Sequence, residues 1–125
     1  MTKTWANLTA ADLGREIDKG RINPVELAEF FLDTIEGASA GARIYARTTA
    51  DRARAEAMAA ASRAKTGMRR GPLDGVPISW KDLFDTAGIA TEAGSALLKG
   101  RVPDRDAAVL QAATAAGLVC LGKTH

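Results

Sequence analysis

Apolar residues recur along this chain with two periods, and the change between them divides it. From Leu8 to about Lys65 they fall at helical spacing. Leu13 and Ile17 lie one turn apart, Thr9 and Asp12 make a capping box before them, and Leu8 is placed to staple onto Leu13. Gly20 closes this first helix. Asn23 caps a second, with Pro24 at the first helical position, where its missing N–H costs nothing, and Glu26 at the third. Ile22 can staple onto Leu27. Leu27, Phe30, Phe31 and Ile35 then form the expected buried face, and Gly37 ends it. Ile44-Tyr45-Ala46 reads as a short strand or an extended connector. Thr48 and Asp51 open a third helix that runs to about Lys65. Its Ala50, Ala53, Ala57, Ala60 and Ala64 form a stripe thin enough for a close neighbour, which leaves its arginines to face water.

After Gly67–Pro72 the period falls to two. Gly71-Pro72-Leu73-Asp74-Gly75 is a turn signal, and Val76, Ile78 and Trp80 alternate with Pro77, Ser79 and Lys81 as in a strand with one apolar face. Gly88 to Thr91 reads as a second short extended piece, and Ala96-Leu97-Leu98 as either a helical turn or a loop. Asp104 or Asp106 caps a helix from Ala107 to Ala116 that carries Val109, Leu110 and Ala113 on one face and closes at Gly117. Leu118 to Leu121 is a continuous apolar run, as expected of a strand covered on both faces. Strand, helix and strand imply a βαβ crossover, right-handed if the strands are parallel. The class is α/β. A helical preface over 1–70 and the start of an α/β core over 71–125 are the expected parts, with the boundary at Gly67–Pro72.

Composition changes this picture little. Of 125 residues, 46% are hydrophobic and 26% charged, an ordinary balance for a soluble globular chain. No apolar run is long enough to span a bilayer, and Met1 to Trp5 lacks the apolar core of a secretory signal, so a cytoplasmic location without membrane contact is expected. One cysteine excludes an internal disulfide framework, and one histidine leaves too few soft ligands for zinc; neither metal nor cofactor is expected. The net charge of +2 hides an uneven distribution, since Arg43 to Arg70 holds eight basic residues against Asp51 and Glu56. Only Tyr45 is aromatic in that stretch, so nothing interleaves to stack on bases. A solvated helix face is expected there, not a nucleic-acid contact.

Two lysines raise chemical questions. Lys81 is flanked by Trp80 and by Leu83-Phe84, and apolar neighbours favour the neutral amine that can act as a base. The alternative is a lysine that snorkels to water and pairs with Asp82 or Asp85. Lys123 lies in Gly117-Leu-Val-Cys-Leu-Gly-Lys-Thr124, which satisfies a phosphate-loop pattern. That motif needs a flexible loop between strand and helix, whereas Gly117 follows a helix and the intervening residues read as buried strand. Cys120 reads as an inert small hydrophobe, and His125 has no carboxylate to orient it for a triad.

Gly-Pro-Leu-Asp-Gly-Val-Pro-Ile-x-x-Lys-Asp, from Gly71 to Asp82, followed by Asp-x-Ala-Gly from Asp85 to Gly88, resembles the lysine-bearing segment of the amidase signature family. The similarity runs from Leu8 to Thr124. It implies the opening part of that fold, with N-terminal helices followed by the start of a mixed sheet flanked by helices. It also implies hydrolysis or transfer of small-molecule carboxylic amides through a Ser–cis-Ser–Lys triad, with no cofactor. Lys81 falls where the family's catalytic lysine falls, and Asp82, Thr91 and Ser95 are supporting residues by proximity in sequence. The family's glycine- and serine-rich segment has no counterpart, because Ser39, Ser62, Ser79 and Ser95 are the only serines and none lies in such a loop. The expectation is therefore the N-terminal part of an amidase, inactive alone, that associates with the missing C-terminal portion or with copies of itself. One alternative is a non-catalytic piece that docks onto a full-length relative. The remote one is a nucleotide binder acting through Gly117–Thr124.

Overall fold

The structure, a computed structural model, describes residues 2–125. After a 3-10 turn at Thr2–Asn7 come helices α1 (Ala10–Asp18), α2 (Pro24–Gly37) and the short α3 (Gly41–Ile44). Strand β1 (Tyr45–Thr48), helix α4 (Ala50–Lys65), strand β2 (Pro77–Lys81), helix α5 (Ala108–Ala115) and strand β3 (Val119–Thr124) complete the order. The sheet runs β1-β3-β2, with β3 antiparallel to β1 and parallel to β2. The class is α/β, and the expected strand–helix–strand unit is present. Because β3 is central, its apolar run is sealed: Val119, Cys120 and Leu121 are all buried.

Two apolar clusters hold the layers together. Ala28 and Leu32 of α2 meet Ala53 and Ala57 of α4 over Val119 and Leu121, while Leu13, Ile17, Ile22 and Leu27 close around Val76. The alanine stripe thus brings α4 close to its neighbours, with Ala53, Ala57 and Ala60 essentially without exposure. The α2 face is rotated from the expected one, for Leu27, Ala28 and Leu32 take its centre. Phe30 and Phe31 are half-buried and form an edge-on aromatic chain with Trp5, at ring separations of 5.5 and 5.1 Å.

The first two helix starts follow local rules. Asp12 N–H donates to Thr9 Oγ1 at 3.0 Å while Thr9 N–H donates back to Asp12, and Val25 N–H donates to Asn23 Oδ1 at 2.8 Å. The later starts do not. Helix α4 begins after Thr49, one residue beyond the expected cap, and the Thr49 hydroxyl donates across to the Cys120 carbonyl at 2.8 Å. Helix α5 is preceded by Ala107, and Asp106 instead receives both Arg52 guanidinium nitrogens at 2.9 Å and the Ala87 N–H at 2.8 Å. Tertiary partners took the Asp106 side chain, which local spacing had offered as a cap. Of the expected α5 face only Leu110 is buried, and Val109 is exposed. Between β2 and α5, Gly88–Thr91 forms no strand, only an isolated Thr86–Ile89 bridge, whereas Ala96–Leu98 is a 3-10 turn. Strand β2 shows no single apolar face: Ile78, Ser79 and Trp80 are each half-buried, because β2 has a hydrogen-bonded neighbour on one side alone among the described residues.

The basic stretch is the largest departure from expectation. Its arginines do not simply face water; they tie distant elements together. Arg47 pairs with Asp82 and Glu92, Arg52 with Asp106, Arg54 with Glu29, Arg63 with Asp74 and Arg69 with Asp18. Three of these carboxylates are held below their ordinary value of 3.8. Burial pushes Asp74 and Asp82 up, but the guanidiniums of Arg63 and Arg47 outweigh it, and the Arg52 pair acts directly on Asp106. Each therefore contributes stability that is fully present above the unfolded value and is lost as pH falls through the lower folded one. The urea midpoint is expected to hold at neutral pH and to decline steadily below about pH 4. A midpoint that stays constant into strong acid would contradict this.

Candidate active site

Lys81 closes β2 opposite Thr124, and its side chain is exposed. The expectation that Trp80, Leu83 and Phe84 strip it of water is not met among the described residues. Trp80 instead turns to Phe84, edge-on with 5.7 Å between ring centres, and Leu83 is itself exposed. Lys81 opens onto a cleft of about 440 Å³ that Arg47, Asp82, Glu92, the Ala93–Ala96 turn and His125 also line. Among the described residues no hydrogen bond or ion pair engages its ammonium.

The walls of the cleft are fixed by a charged cluster built around the buried Asp82. Asp82 Oδ1 accepts from Arg47 Nη1 at 2.5 Å, and Arg47 donates further to the Ala90 carbonyl at 2.8 Å. Asp82 Oδ2 accepts the Glu92 N–H at 3.3 Å, and the Asp82 carbonyl accepts the Ala93 N–H at 2.7 Å. Glu92 in turn accepts the Gly100 N–H at 2.6 Å. These bonds hold Ala93 at φ +53°, a left-handed conformation that costs a residue with a Cβ roughly 1–2 kcal/mol. The loop carries that strain on a wall of the cleft that Lys81 also lines. Such outliers are sustained only where the surroundings over-determine them.

Of the residues expected to support the lysine, Asp82 and Ser95 line the cleft with it. The Ser95 hydroxyl accepts the Leu97 N–H at 3.2 Å and so caps the 3-10 turn. Thr91 lies behind the wall, buried, where its hydroxyl accepts from Lys123 at 3.0 Å. Sequence reasoning missed Arg47, Glu92 and Lys123. A signal for Lys123 existed in a cation placed one glycine beyond an apolar run that reads as a doubly covered strand.

Lys123 also disposes of the phosphate-loop reading. Residues Val119–Thr124 are the central strand, paired on both sides, so their N–H groups do not curl round an anion. Lys123 has no exposure and donates to the Phe84 carbonyl at 2.9 Å. Both glycines of the pattern are packing requirements: a Cβ on Gly117 (φ +89°) would stand 2.2 Å from Asp74 Oδ1, and one on Gly122 would stand 2.8 Å from the Arg47 carbonyl. Cys120 is buried, and burial pushes its thiol up, away from the thiolate a nucleophile needs. His125 is exposed, and no helix of the described residues is long and apolar enough to cross a membrane.

A family model described as Amidase matches residues 26–125. The chain is 41% identical over 123 residues to a glutamyl-tRNA(Gln) amidotransferase subunit of Anaeromyxobacter dehalogenans, covering 98% of this chain and 25% of that protein. The same subunit from Streptomyces coelicolor is 37% identical over 118 residues, 94% of this chain and 24% of its own length. Among solved structures, the native peptide amidase of Stenotrophomonas maltophilia superposes with a TM-score of 0.87 at 33% identity, over 97% of this chain and 25% of that one. A protein from a vestigial complex, described as revealing the origins of an s-triazine catabolic enzyme, gives 0.85 at 33% identity, over 94% and 26%. The chain spans about a quarter of the length of these relatives. With the lysine-bearing segment, the mixed sheet and the match over residues 26–125 all in agreement, the chain belongs to the amidase family, that of the amidase signature enzymes.

Proposed function

We propose that these residues supply the base of a site that cleaves or transfers carboxylic amides, that the base is Lys81, and that the serines it serves are not among them. One observation carries the reading: Lys81 stands at the end of an edge strand with its ammonium uncommitted, on a cleft whose Glu92–Ser95 wall is locked in place. Arg47, Arg52 and Arg63, by contrast, are committed to carboxylates that tie separate elements together. The serines here do not serve it: the Ser79 hydroxyl is bonded to the Tyr45 hydroxyl at 2.6 Å, Ser95 caps a turn, and the exposed Ser39 and Ser62 do not line the cleft.

In the complete site a serine attacks the amide carbonyl, and a second serine, held by a cis peptide, passes the proton on towards Lys81. The bond from serine oxygen to acyl carbon forms, the C–N bond breaks, and the departing amine takes its proton back through the same relay. Water or an acceptor amine then releases the acyl group. Lysine accepts a proton only as the neutral amine, so the open cleft has to be covered by further protein that strips water from Lys81. The sheet offers the places for it. Strands β1 and β2 each have one edge unpaired among the described residues, and an apolar groove of about 300 Å³ runs past Leu13, Phe31 and Ile78. The remaining portion of an amidase, or another copy of the chain, occupies them in this reading.

The purified 125-residue chain is expected to release no ammonia from simple aliphatic or aryl amides. Turnover by this chain that disappears in Lys81→Ala would contradict the assignment of the nucleophile to residues elsewhere.

A further inference from the structure

Lys123 plays no part in the chemistry proposed for Lys81, yet it heads the fully buried side chains among the described residues by volume. A buried ammonium is costly unless its N–H groups find acceptors, and it has three to place. Three lie around it: the Phe84 carbonyl at 2.9 Å, Thr91 Oγ1 at 3.0 Å and Asp82 Oδ1 at 3.5 Å. The Thr91 hydroxyl sends its own proton to the Ile89 carbonyl at 3.2 Å, which leaves its lone pairs free for Lys123. The three acceptors span both ends of the turn between Asp82 and Thr91, so one ammonium from β3 closes that turn from beneath.

The residues immediately beyond Thr91 give the closure a purpose. Glu92 and Ala93 are the two residues whose N–H groups reach back to the Asp82 carboxylate and carbonyl, and with Gly94 and Ser95 they form a wall of the cleft that Lys81 also lines. Arg47 grips the same carboxylate from the cleft side with its side chain 26% exposed, where water competes for it; Lys123 grips it from the dry side at 0%. An apolar side chain of similar length would fill the space without joining these three points.

We infer that Lys123 is a positioning residue for the Lys81 cleft, its ammonium fixing the Glu92–Ser95 wall against the end of β2 through Phe84, Thr91 and Asp82. The inference rests on the reading of that cleft as the active site, but its test does not depend on turnover. Amide hydrogen exchange on the 125-residue chain is compared between the parent and Lys123→Met. The Glu92 and Ala93 amides are expected to exchange about tenfold faster, the scale of one charge-assisted bond lost, while the core amides of Leu32 and Ala57 hold their rates. Unchanged Glu92 and Ala93 amides would overturn the inference, and so would a parallel rise at every amide, which marks a general stabiliser. Thr91→Val, which removes one acceptor at nearly constant shape, is expected to produce the same selective loss, and its absence is equally decisive should Lys123→Met fail to fold. A failure of the Lys81 reading would appear in amide turnover and leave these exchange rates untouched, so the two are separable.

Discussion

Asp74→Ala is expected to lower folding stability by about 3–5 kcal/mol, the usual result of removing one partner from a buried ion pair. Asp74 has no side-chain exposure, and its two oxygens accept Arg63 Nε at 2.8 Å, Arg63 Nη2 at 2.7 Å and the Arg70 N–H at 2.9 Å. The arrangement joins α4 to the turn that launches β2, and Gly117 lies hard against the same carboxylate. Removal leaves the Arg63 guanidinium, 18% exposed, without its bidentate partner. Domains have about 5–15 kcal/mol in total, so the variant should melt on the order of 10–20 °C lower or fail to fold. Asp74→Asn keeps the shape and part of the bonding and should lose less. Adding Arg63→Met to Asp74→Ala should recover part of the loss, because most of it comes from the unpaired charge. Denaturation followed by far-UV dichroism checks all three, and an Asp74→Ala midpoint equal to the parent's would refute the role assigned to the pair.

What the sequence disclosed depended on how far each residue reaches. Thr9–Asp12 and Asn23–Pro24 act within one helical turn, so both starts were legible in the letters, as was the doubly covered strand after Gly117. The family was legible too, because Gly71–Gly88 carries its pattern in consecutive positions. The supports of the cleft were hidden for the opposite reason. Arg47 and Asp82 are 35 residues apart, Lys123 and Thr91 32, and Arg63 and Asp74 11 on different elements. No local rule couples such positions, so the arginines read as a wet helix face and Lys123 as a strand end. The same blindness misassigned Asp106, whose capping potential was overridden by Arg52 and the Ala87 N–H, and it placed the start of the third helix one residue early, at Thr48. Of the two settings weighed for Lys81 the exposed one is found, without pairing to Asp82 or Asp85 among the described residues, because adjacency to Trp80 and Phe84 in sequence does not put their rings on its side chain; they pack on each other.

Lys81→Met is expected to remove amide turnover from any complete enzyme that contains these residues, by about 10²–10⁴-fold in kcat, the range of a general base. Lys81→Arg should be as inactive. A guanidinium keeps the positive charge but does not give up its proton at working pH, so this variant separates a base from a cation that merely attracts substrate. The peptide amidase of Stenotrophomonas maltophilia, 33% identical across 97% of this chain, is a suitable host. Replacing its matching quarter with this chain supplies the other three quarters of a family member. The decisive measurement is kcat for amide hydrolysis by that chimera with Lys81, Met or Arg at the position. Turnover with lysine and its loss with both substitutions, at little change in KM, is the predicted result; turnover that survives Lys81→Arg or Lys81→Met within about twofold would contradict the assignment of Lys81 as the base.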